Sequence, residues 1–313
     1  MKELLERCCG IDIHKKTAVA CIIVGLGKKI RKEIRTFGTM TDDIENLKLW
    51  LKENGIEKVA IESTGIYWVP IFNILEDSFE IVLANAKHIK NVPGRKTDVK
   101  DSVWLCKLLK HGLIQKSFIP PEDIRFLREL TRCRKSTVGD LTAAKNRVIK
   151  GLESGNIKLA SVLSNPHGVT GWKIIKQLAY GEKSIEKLTK NLNPQIKASK
   201  EDFEKALKGT LKQHDRELLK IRIRHVESLL QIINEIEEQI RMHLKKYVVK
   251  IDLLKTIPGM GDTTAAIVLA EIGSDMSQFP SHMHIASWAG LAPGNNESAG
   301  KKKILGLQRG IKT

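Results

Sequence analysis

Apolar residues in the first third of the chain fall in short β-rich runs that alternate with helical spacing. CCGIDIHKKTAVACIIV (8–24) holds two such runs separated by the polar His14, Lys15 and Lys16, a hairpin pattern, and KKIRKEIRTF (28–37) supplies a third strand. Thr41 precedes DDIENLKLWLKENG, where first-turn acids and the trailing Gly55 predict an amphipathic helix. KVAIES (58–63) reads as a strand, IYWVPIFNILED as a helix and EIVLAN (80–85) as another strand. Three strands, a helix, a strand, a helix and a strand predict an α/β domain with a mixed sheet over residues 1–120.

Beyond Pro121 the strand signal disappears. EDIRFLRELTRCRKSTVGDLTAAKNRVIKGLE reads as one long helix, with Leu127, Leu130, Val138, Leu141 and Val148 as apolar positions and many cations between them. Residues 155–200 are broken by NPHGVTGW and NLNPQIKASK into short helices and loops. In HDRELLKIRIRHVESLLQIINEIEEQIRMHLKKY, Leu219, Ile223, Val226, Leu230, Ile233, Ile240 and Leu244 alternate spacings of four and three, with Glu237 in the skipped position. That seam suits a coiled coil, a long helical hairpin or a core helix of one protomer. An all-α coiled-coil section is thus expected over 121–250 and a mainly helical domain over 251–313. The latter opens with LLKTIPGMGDTTAAIVLAEIG, two apolar helices about the turn Pro258-Gly259-Met260-Gly261. The pattern is similar to a helix-hairpin-helix, whose glycine turn offers backbone N–H groups to phosphate. A plain helical turn in a core would look the same.

Composition narrows the class. With 42% hydrophobic and 28% charged residues the chain is not wholesale disordered. Its formal charge of +17 and pI near 9.6 favour a polyanionic partner, most simply nucleic acid, although basic proteins need not bind one. Cys8, Cys9, Cys21, Cys106 and Cys133 form no C-x-x-C pair, so they read as reduced residues rather than a zinc site or disulfide framework. Neither a signal peptide nor a membrane-spanning run is present, which predicts a soluble protein of a reducing compartment.

Four acids then stand out. Asp12 sits between isoleucines in the first strand, and Glu62 closes the fourth. Asp98 and Asp101, three apart, open the helix DVKDSVWLCKLLK, so both can face one side of it. The strand order matches RNase H-like folds, in which the first strand's middle, the fourth strand's end and a later helix converge. Four carboxylates there can hold two divalent cations for phosphoryl transfer, and magnesium suits an all-oxygen set. Each acid also has an ordinary alternative. Asp98 could be an N-cap with Asp101 as its capping-box partner, and Glu62 a plain strand-end residue. Further along, Ser298 lies between Glu297 and the small Ala299-Gly300 pair, ahead of Lys301, Lys302 and Lys303. A serine hydroxyl needs a base or metal to act as a nucleophile, and spacing alone makes Ser298 a loop serine.

Taken together, GIDIHK, VAIESTGIYW, GRKTDVKDSVWLCKLL, LRELTRCR with KNR, IPGMGDTTAA, and ASWAGLAP followed by ESAGKKK resemble the DEDD-type insertion-sequence transposases guided by a bridge RNA. The resemblance runs in order along nearly the whole chain. It implies a RuvC-like (RNase H superfamily) domain, a coiled-coil section and a carboxy-terminal transposase domain. Asp12, Glu62, Asp98 and Asp101 would be the magnesium-binding catalytic acids, and Ser298 the nucleophile that becomes joined to DNA. Donor and target DNA, a structured guide RNA and further copies of the chain, as dimer or tetramer, are the implied partners, in the cytoplasm and on the nucleoid when active. Nucleic-acid contacts are expected from Lys15, Arg95, Lys96, Arg128, Arg132, Arg134, Lys145, Arg147, Gly259, Gly261, Lys301 and Lys302. Ser102 stands where the family carries alanine. Relatives continue beyond GLQRG, so the end at Thr313 is expected to be a shortened one. A water-using nuclease or junction resolvase, and a non-catalytic nucleic-acid-binding regulator, are the alternative functions.

Overall fold

The computed structural model describes residues 4–27, 29–63, 65–84, 89, 101–114, 116–190, 192 and 196–291, and the backbone of 294–298 and 301–305. Asp98, Arg95 and Lys96 lie outside the described residues. The chain divides into two compact units, residues 1–119 and 120–313.

The first unit is built on strands β1 (Arg7–Ile13), β2 (Ala18–Val24), β3 (Arg31–Phe37), β4 (Lys58–Glu62) and β5 (Glu80–Ala84). They form one mixed sheet in the order β3-β2-β1-β4-β5. β1 pairs antiparallel with β2 around the His14–Lys16 turn, and parallel with β4, with Ile11 opposite Ile61. Helices α1 (Thr41–Glu53) and α2 (Trp68–Leu75) cover one face, and α3 (Asp101–Lys110) covers the other. The strands' alternation sorts residues between these layers. Cys9, Ile11, Val59, Ile61 and Leu83 pack with Ile44, Leu47 and Leu75 of α1 and α2. Cys8, Ala60, Val82 and Ala84 pack with Val103, Cys106 and Leu109 of α3. Burial on both faces explains why the central strands read as nearly continuous apolar runs.

α3 runs antiparallel to β1. Near its start, a Cβ on Gly10 would come within 2.5 Å of the Ser102 carbonyl oxygen, and closer still to the Cys106 amide nitrogen. Further on, the Cys106 thiol donates to the Cys8 carbonyl at 3.4 Å. At the helix end the buried Lys110 donates from Nζ to the carbonyls of Gly25 (2.6 Å) and Leu5 (3.3 Å), and Leu4 N–H donates to the Lys110 carbonyl. Cys8, Cys9, Cys21 and Cys106 are buried thiols, whereas Cys133 is exposed.

The second unit is organised by two long helices, α4 (Glu122–Ser154) and, after the short helices α5 (Leu159–Val162), α6 (Val169–Ala179), α7 (Ile185–Thr189) and α8 (Lys200–Leu207), α9 (Gln213–Leu244). Each is about 50 Å long at 1.5 Å per residue. They pack antiparallel: Arg134 pairs with Glu237, and His243 Nε2 lies 2.6 Å from the carbonyl of Asp123. Of the forms its seam allowed, α9 takes the hairpin within one chain. The buried stripe is Leu219, Ile223, Val226, Leu229, Ile233, Ile236 and Ile240. Leu229 and Ile236 are buried where a strict heptad would place Leu230 and Glu237, and Leu230 is exposed. After a 3-10 turn at Lys245–Tyr247, α10 (Val248–Lys255) and α11 (Asp262–Ile272) extend this core, Ile251, Ala265 and Leu269 packing on Ile124, Leu127 and Ile240. The short α12 (His282–Trp288) and an antiparallel hairpin of β6 (Gly294–Ser298) and β7 (Lys301–Leu305) follow; the hairpin gave no signal in the helical reading. Among the described residues no helix is long and apolar enough to cross a membrane.

Candidate active site

Strand parity decides where the acids point. Asp12 follows Cys8 and Gly10 at steps of two, so it faces the α3 layer; Glu62 follows Ala60 in the same way. Since Ile11 lies opposite Ile61 on parallel strands, Asp12 and Glu62 are the next residues along, on the same face and at the same sheet end. The antiparallel run of α3 brings its first residue, the exposed Asp101, towards that end. Close contact at Gly10 is what allows the helix to lie on β1 at all. Beyond Glu62, Ser63 N–H donates to the Ala84 carbonyl and holds the strand end in place.

The surroundings are polar on one side and apolar on the other. Asp12 Oδ2 lies 3.3 Å from His14 Nε2; the Asp12 side chain is 21% exposed and that of His14 65%. Lys15 is exposed in the same turn, and its carbonyl accepts from the Thr39 hydroxyl at 3.0 Å. Asp12 and His14 are two apart on an extended run, so their shared face was readable from the sequence and was missed. Among the described residues no three His, Cys, Asp or Glu side chains are grouped closely enough to hold a metal ion.

Several cations expected to touch nucleic acid hold the second unit together. Arg128 donates to the carbonyls of Ala270 (3.0 Å) and Glu271 (2.7 Å) at the end of α11, and Arg132 makes a two-pronged pair with the Glu271 carboxylate at 2.9 and 3.0 Å. Arg134 is tied to Glu237. Arg147 is exposed on α4, and Lys145 lies near His167, whose pKa is lowered by burial first and by that charge second. In the turn between α10 and α11, Met260 N–H donates to the Ile257 carbonyl and Gly259 has φ +83°, which favours glycine. Among the described residues nothing lies within 4 Å of a Cβ built on Gly259 or Gly261, so they leave this turn open. Asp262, first in α11, pairs with Lys255 at 2.6 Å. Ser298 ends β6 opposite Lys301, and Glu297 lies opposite Lys302; the side chains of Ser298, Lys301 and Lys302 lie outside the description.

Two family models match, and both describe transposases. One, described as transposase, matches residues 9–156, from β1 through α4, and so takes in all four acids. The other, described as transposase of the IS116/IS110/IS902 family, matches residues 251–312, with the glycine turn and Ser298. The chain belongs to the IS110 family of transposases. It is similar to a pilin gene-inverting protein of Moraxella bovis, 34% identical over 127 residues, and equally to that of Moraxella lacunata. Each match covers 34% of this chain and 39% of the relative, so the chain spans about two fifths of the length of the curated relatives it matches.

Proposed function

We propose that the protein is a magnesium-dependent DNA recombinase that cuts and rejoins strands of an insertion sequence under the direction of a structured guide RNA. The observation that carries the reading is the placement of Asp12 and Glu62 on one face and at one end of adjacent parallel strands, with α3 starting over that face. The strand order supports an RNase H-like, RuvC-type domain. The donor set is all oxygen, and Asp12, Glu62 and Asp101 are partly or fully open to solvent, so in chemistry they fit magnesium. Asp12, Glu62 and Asp101, with Asp98, would hold it, and the ion would stabilise the attacking and leaving oxygens.

In this reading Ser298 Oγ attacks a DNA phosphorus. One P–O bond forms to the serine, one to a deoxyribose oxygen breaks, the serine proton passes to solvent, and the leaving deoxyribose oxygen takes up a proton from solvent. The phosphoserine keeps the bond energy, so a second deoxyribose hydroxyl can displace the serine and rejoin the strand. The name of the Moraxella relatives, inversion of a pilin gene, is consistent with cutting and rejoining of this kind. The open glycine turn before α11 supports a helix-hairpin-helix contact to phosphate, with Asp262 limiting it by its own charge. Assembly as a dimer or tetramer, and a cytoplasmic site of action, belong to the same proposal.

The test is a covalent-adduct assay with magnesium and DNA carrying the insertion-sequence end. Asp12→Asn and Ser298→Ala are each expected to abolish the protein–DNA adduct, by about a hundredfold or more. Strand cutting that persists in Ser298→Ala and is lost in Asp12→Asn would replace this reading with a nuclease that uses water. RNA binding without any cutting would favour a non-catalytic regulator.

A further inference from the structure

A cavity of about 310 Å³ opens at the same sheet end as the acids, on the α1–α2 side. That is the low end of small-ligand sites, which run from about 300 to 1,000 Å³. Ile66, Tyr67 and Pro70 give it an apolar, partly aromatic wall, and His14, Lys15 and Thr39 give it a polar rim. Ile66 is 73% exposed and Tyr67 43% exposed, immediately before α2. These are large apolar surfaces to leave in water beside a charged rim.

His14 joins the cavity to the acid end, since it lines the one and lies 3.3 Å from Asp12 in the other. We infer that this cavity takes a single unpaired nucleobase of the DNA strand whose phosphate lies at the acids, stacked on Tyr67 and held at its edge by His14, Lys15 and Thr39. Tyr67 supplies a ring face, which any base can use. The polar rim offers donors and acceptors to a base edge, and Lys15 supplies charge for the adjoining phosphate. The volume suits one planar base and is small for a peptide segment or a second helix. A base can enter only when it is out of the duplex, so the site would favour strands that are opened or paired elsewhere.

The inference rests on the proposed action of the acid end on DNA, and it is tested separately from it. The probe is a single-stranded oligothymidylate with some thymidines replaced by 5-iododeoxyuridine, bound to the full chain and irradiated. Cross-links are expected on Tyr67 or His14. Affinity, read by fluorescence anisotropy, is expected to fall roughly tenfold in Tyr67→Ala and to stay near the parent value in Tyr67→Phe, the loss expected for one stacked base. An oligomer of base-free deoxyribose phosphates should bind both variants equally.

Tyr67 is exposed, so its variants are expected to keep the parent's thermal melt. Cross-links confined to other residues, or an unchanged affinity in Tyr67→Ala, would overturn the inference. If Tyr67→Ala loses affinity while Asp12→Asn keeps full cutting, the base site stands and the catalytic reading fails. If Asp12→Asn abolishes cutting and Tyr67→Ala binds normally, the reverse holds.

Discussion

Gly10 sets the spacing between β1 and α3. A methyl group there would collide with backbone atoms of Ser102 and Cys106, and backbone cannot swing aside as a side chain can. Gly10→Ala is therefore expected to cost about 1–3 kcal/mol, the usual range for overpacking, read as a lowered urea midpoint. Ser102 presents the opposite case. It is fully buried and, among the described residues, its hydroxyl has no hydrogen-bond partner, an arrangement that costs energy in a dry interior. Ser102→Ala removes that hydroxyl with little change in volume and is expected to raise stability by roughly 1 kcal/mol; a lowered midpoint would refute the assignment. The two residues also show how far local pattern reaches. Asp12 could be placed on a strand and Glu62 at a strand end from alternation alone. That both face α3 depends on which layer the helix chose, and the contact deciding it joins Gly10 to residues far along the chain. Asp98 adds nothing to this comparison, lying outside the described residues.

Between the long helices, the apolar stripe gave the length and packing of α4 and α9, while the polar ties across them were hidden. Arg128, Arg132 and Arg134 looked like a cationic surface, yet their partners Glu271 and Glu237 come from α11 and α9. Single-helix spacing cannot reveal partners so distant in sequence. Where α4 begins, the Tyr247 hydroxyl donates to Asp123 Oδ2 and fastens the end of the hairpin. Burial, with the neighbouring carboxylate second, pushes the Tyr247 pKa up to about 12. The Tyr247 hydrogen bond is the main cause that holds Asp123 below its ordinary value.

The signs follow from linkage. The raised tyrosine contributes stability that is fully present below its unfolded value of about 10 and is lost as pH rises through about 12. The depressed aspartate contributes stability that is present above its unfolded value of about 3.9 and is lost as pH falls through its folded value. Tyr247→Phe is thus expected to cost about 0.5–1.5 kcal/mol near neutrality, towards the lower figure because both groups are partly solvated. The difference from the parent should shrink as pH rises from about 10 through about 12. Urea unfolding at several pH values measures this, and a gap that stays constant to high pH would separate Tyr247 from the effect.

At the scale of the molecule, the proposed chemistry is divided between two bodies. The acids belong to residues 1–119 and Ser298 to residues 120–313. The first body holds a five-stranded sheet with a core on each face, and among the described residues every strand of that sheet belongs to this body. A domain that owns its core can fold alone. Residues 1–119 expressed by themselves are therefore expected to unfold in one cooperative urea transition, with a slope of about 1–3 kcal/mol per molar. Ile119 should be kept, because it packs against the α1–α2 core.

If the acids form the ion site within this body, the fragment should bind magnesium as the full chain does, and Asp12→Asn should weaken binding in both, as titration calorimetry would report. The fragment should form no adduct with DNA, since it lacks the serine. A fragment that folds yet binds no magnesium, beside a full chain that does, would mean that the second body completes the ion site. The arrangement of Asp12 and Glu62 on one sheet end would then be a scaffold for a site finished elsewhere, and the search for its missing ligand would move to residues 120–313.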